Sequence, residues 1–133
     1  VPKYNSTWEE ADAQFLEALL LATGGEGGAT LQDVLLMADA IDGTVFTLEE
    51  VEQALEKLVA VDYVIVLKNK LSLTPAFQEA YTQVEESADD QEQLLQNLQT
   101  QELTEKKIEA ASNALKKNKL KNHYQQYQEQ FGG

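Results

Sequence analysis

Cysteine is absent from this chain, arginine is absent as well, and proline occurs only twice in 133 residues. Without cysteine there is no disulfide framework, no thiolate zinc site and no cysteine nucleophile, and the composition suits a reducing, cytoplasmic compartment. Without arginine the ten basic residues are all lysine, and the planar fork that grips guanine edges and phosphates is missing. The single histidine, His123, sits beside Asn122, Tyr124 and Gln125 with no second imidazole to complete a transition-metal site. No apolar run approaches the roughly 20 residues that cross a bilayer, and the N-terminal stretch lacks the basic-then-apolar pattern of a secretory signal. The sequence opens on Val1, which leaves open that a leader was removed.

What is present is acid. Twenty-three acidic residues against ten lysines give a net charge of -13. The excess is confined to one part: residues 1–90 carry 18 acids and 4 lysines, residues 91–133 carry 5 acids and 6 lysines. A field of that sign repels polyanions, although screening beyond about 10 Å at 0.1 M salt leaves local patches in control of binding. The hydrophobic share of 43% is ordinary, and a chain of this length supports one core with an extension.

Helix signals follow one another along the chain. Ser6-Thr7-Trp8-Glu9 has the form of a capping box ahead of apolar residues at helical spacing, namely Trp8, Ala11, Phe15, Ala18, Leu19 and Ala22. Gly24-Gly25-Glu26-Gly27-Gly28 ends that helix. It has no neighbouring lysine and follows a helix, so a flexible hinge is expected there and not a phosphate cradle. Thr30 caps a second helix with Leu31, Val34, Leu35, Ala38 and Ile41 on its buried face, stopped by Asp42-Gly43. Thr47-Leu48-Glu49-Glu50 opens a third, striped by Leu48, Val51, Leu55, Leu58 and Val59. Tyr63 to Leu67 and Leu71-Ser72-Leu73 flank Lys68-Asn69-Lys70 as a short hairpin, and Thr74-Pro75 restarts a helix carrying Phe77, Ala80, Tyr81 and Val84.

From Ser87 the composition turns to Asp, Glu, Gln and Asn. Ser87-Ala88-Asp89-Asp90 offers a cap for a thinner helix with Leu94, Leu95 and Leu98. Thr104 caps a last stretch, broken at about Lys116 to Lys119. In it Ile108, Ala111 and Leu115 share one face and Leu120, Tyr124, Tyr127 and Phe131 another. The expected organisation is a domain over 1–86 and a helical extension over 87–133, mainly α with a small β-hairpin.

The order of elements from Phe15 to Tyr81, with Phe46 to Leu58 running into Val61-Asp62-Tyr63-Val64-Ile65 and ending in Leu73-Thr74-Pro75, resembles a winged helix-turn-helix domain. That resemblance covers about half the chain and implies DNA binding, with the third helix in the major groove and the wing on the backbone. The residues oppose it. The polar positions of the third helix carry Glu49, Glu50, Glu52, Gln53, Glu56 and Lys57, where phosphates call for cations. The favoured expectation is a non-catalytic winged-helix protein working through protein contacts, as a regulatory subunit or a homodimer. Leu120, Tyr124, Tyr127 and Phe131 are either its interface or part of its core. The alternative is a dimeric DNA-binding regulator using Lys57, Lys68, Asn69 and Lys70, with the tail lysines Lys116, Lys117, Lys119 and Lys121 in support.

Other chemistries find no footing. Asp42 to Glu49 looks like the second half of an EF-hand, but its first two ligand positions fall on Ala38 and Ala40. Glu85-Glu86 and Asp89-Asp90 are adjacent carboxylates of the solvated kind, not a pair set across a pocket. No nucleophile elbow or serine triad can be assembled around one histidine. No catalytic residue, cofactor or metal is expected.

Overall fold

Thr30 and Thr47 do at their helices what their positions imply: the Asp33 and Glu50 N–H groups donate to the two hydroxyls at 3.1 Å each. The Glu50 carboxylate accepts in return from the Thr47 N–H at 2.9 Å. In the computed structural model, which describes residues 7–24, 27–43, 45–67, 70–81, 90–117 and 120–131, these caps open the second and third of the seven helices found among the described residues. The elements are α1 (Glu10–Thr23), β1 (Gly28–Ala29), α2 (Leu31–Asp42), α3 (Leu48–Ala60), β2 (Val64–Leu67), β3 (Lys70–Leu73), α4 (Pro75–Tyr81), α5 (Asp90–Gln99), α6 (Glu105–Lys117) and α7 (Leu120–Phe131). The protein is mainly helical with one small antiparallel sheet.

Three details depart from what the sequence alone implies. α1 starts at Glu10, and the N–H that opens it, from Glu9, goes to the Asp12 carboxylate at 2.8 Å. Thr7 and Trp8 precede the helix and are engaged elsewhere, while Ser6 lies outside the described residues. The hairpin is joined by a third strand, because Gly28 pairs with Ser72 and Ala29 with Leu71, giving the order β1-β3-β2. Glycine suits position 28 here: a Cβ would stand 2.8 Å from the Ser72 hydroxyl and 3.0 Å from the Lys70 Cβ, so β3 side chains would have to shift to admit it. The hinge expected over Gly24-Gly25-Glu26-Gly27-Gly28 therefore ends in a strand at Gly28. Ile41, finally, is 40% exposed. Residues 39–41 are all exposed, so the last turn of α2 runs past whatever covers Ala38.

One core unites the two halves of the chain. Phe15, Leu16 and Leu19 of α1, Val34 and Leu35 of α2, and Val51, Leu55 and Leu58 of α3 are buried together with Leu94, Leu98, Leu115, Tyr124 and Tyr127. Each large side chain removed from water in this way contributes about 1.5–3 kcal/mol. Phe15 meets Phe46 edge-on at 5.6 Å between ring centroids. α5 lies on α1, α6 on α3 and α7 on α2. The segment expected as an extension is part of the same packing unit, since the apolar stripe of each C-terminal helix is covered by a helix of the first half. The expected cap at Ser87, Ala88 and Asp89 and the Glu85-Glu86 pair lie outside the described residues.

Candidate functional site

α3 is the helix that the winged-helix resemblance would place in a DNA groove, so its surroundings bear on that expectation. At about 100° per residue, Val51, Ala54, Leu55 and Leu58 face the core. Lys57 then falls on one flank, Glu52, Glu56 and Val59 on the other, and Glu49 and Gln53 point outward. Each flank is occupied.

On the first flank Lys57 is completely buried, at 0% exposure. Its ammonium lies 2.5 Å from the Asp12 carboxylate, itself only 2% exposed. It also donates to the Thr7 carbonyl at 2.8 Å and sits 5.9 Å from the centre of the Trp8 ring. Trp8 in turn donates its indole N–H to the Gln101 carbonyl at 3.1 Å, tying this corner to the turn after α5. Burial holds the Asp12 carboxyl above its ordinary value, against the opposing pull of the Lys57 hydrogen bond and charge. A buried charge is tolerated only when it is paired and hydrogen-bonded, and this one is both. The spacing puts Lys57 among the polar positions of α3, and the alternative, DNA-binding reading makes it a contact. The structure corrects that, because its charge is committed to Asp12 inside the protein.

On the second flank lies α6, whose buried face is Ile108, Ala111, Ser112 and Leu115. The Ser112 hydroxyl donates to the Glu56 carboxylate, and the Lys116 charge acts on the same group. Burial, and then repulsion from Glu52 one turn back, push the Glu56 carboxyl up, with Lys116, Ser112 and Lys57 drawing it down. A carboxyl whose folded value is raised holds its proton more tightly folded than unfolded. Its contribution is therefore fully present below the ordinary value of 4.5 and is lost as pH rises through the folded value. Glu56→Gln keeps an acceptor for Ser112 and removes the charge. It should stabilise the protein at pH 7 by less than about 1 kcal/mol, since the group is half-exposed and screened. The gain should shrink as pH falls toward 4.5 and vanish below it, and urea titrations at pH 7 and below 4.5 would show a constant difference if Glu56 were ordinary.

With both flanks covered, Glu49 is the one exposed residue of α3. Gln53 reaches toward it and donates to its carboxylate at 3.2 Å. What α3 shows to solvent is thus narrow and acidic.

The expected aromatic anchors are also placed. Tyr124 and Tyr127 of α7 are 5% and 8% exposed. The Tyr124 hydroxyl donates to the Phe46 carbonyl at 2.7 Å, and the two rings tilt against each other at 6.4 Å. Burial, aided by the Asp39 charge, raises the Tyr127 phenol. Of the two readings open for these tyrosines, core is the one the packing gives, because α7 lies on α2 and turns both rings inward. Leu120 and Phe131 belong to α7, with side chains outside the described set. At the wing, Lys70 is exposed, and Lys68 and Asn69 lie outside the described residues.

His123 is half-buried. Among the described residues no group of three His, Asp or Glu side chains is placed to hold a metal ion, and no helix is long and apolar enough to cross a membrane. The Asp12–Lys57 pair is the feature that reading along the chain passed over. A signal was available for Asp12 alone, which falls on the apolar face of α1 beside Phe15 and Leu19, whereas Lys57 lies on a flank that spacing reads as polar. No family model, curated protein or solved structure matches this chain.

Proposed function

We propose that this chain is a non-catalytic winged-helix protein that acts through protein–protein contacts, as a regulatory subunit or a homodimer, in the cytoplasm. The order α1-β1-α2-α3-β2-β3, with β3 between β1 and β2, supports the winged-helix reading, and the absence of cysteine suits a reducing compartment. The observation that carries the functional reading is the enclosure of α3. The helix that would enter a major groove is flanked by α6 on one side and by Trp8 and Asp12 on the other, exposes Glu49, and has its own lysine buried. Affinity for DNA grows with each phosphate neutralised, and this helix offers none a counter-charge.

Titration of a labelled random duplex at low salt, about 0.05 M, where phosphate contacts are strongest, tests this directly. No saturable change in anisotropy is expected. Saturable binding that weakens as salt is added would overturn the reading and direct attention to Lys70 and its neighbours in the wing.

A further inference from the structure

We draw no further inference here: the strongest candidate, the buried Asp12–Lys57 side-chain cluster beneath Thr7 and Trp8 on one flank of α3, belongs to the site already described, and nothing in the structure beyond the raised Asp12 carboxyl points to its opening.

Discussion

Replacing Lys57 by methionine should destabilise the protein by about 3–5 kcal/mol at pH 7, the cost of leaving a buried charge without its counter-ion. The volume is nearly kept, so packing contributes little of that loss. What remains is the Asp12 carboxylate, 2% exposed and deprived of the ammonium at 2.5 Å. Burial already raises this carboxyl, and removing the lysine takes away the largest opposing influence, so in the variant it rises further. The deficit relative to the parent should narrow as pH falls through that raised value and Asp12 takes up a proton, the sign required when the folded state binds protons more tightly than the unfolded chain. Asp12→Leu combined with Lys57→Met should recover part of the loss, because no buried charge is left without its counter-ion, while the bonds to the Glu9 N–H and the Thr7 carbonyl are still given up. Urea unfolding of the single and double variants at pH 7 and pH 5 gives all three comparisons. A single variant within about 1 kcal/mol of the parent would mean that water reaches this flank of α3 and that the helix is not enclosed.

Tyr124→Ala carries the second large effect, a loss of about 3–5 kcal/mol, as for other large aromatic side chains removed from a core. The ring is 5% exposed and its hydroxyl is the donor to the Phe46 carbonyl. Tyr124→Phe isolates the second part: it keeps the ring, leaves that carbonyl unpartnered, and should cost about 0.5–1.5 kcal/mol. Thermal melts with denaturant titration separate this role from an interface role. An interface residue replaced by alanine would leave the melting of the dilute protein unchanged and weaken only association.

These two residues also mark where sequence reading succeeds and where it stops. Thr30, Thr47, Thr74 and Thr104 identify helix starts because a cap is a bond spanning three residues. The hairpin was legible for the same reason: its strands are neighbours in the chain and its turn chemistry lies between them. Gly28-Ala29 is a strand only because Ser72 and Leu71, over 40 positions on, lie alongside, and two residues carry no periodicity from which to read it. Spacing puts Tyr124 and Tyr127 on one face, and both are buried, but a stripe says that a face is apolar and not what covers it.

Composition and local spacing are enough to give the helical elements with the caps at Thr30, Thr47, Thr74 and Thr104, the hairpin, the acidity of α3, and the lack of arginine and cysteine, each set within a turn or two of chain. It takes the packed chain to give Lys57 to Asp12, to lay α6 along α3, to turn the tyrosines of α7 into the core, and to leave β2 at the edge. The physical reason is range: caps and periodicity are local free energies. The partner of a buried charge or an apolar stripe is instead chosen by which distant segments exclude water from it together, and residues 12 and 57 or 46 and 124 become neighbours only once the whole chain has packed.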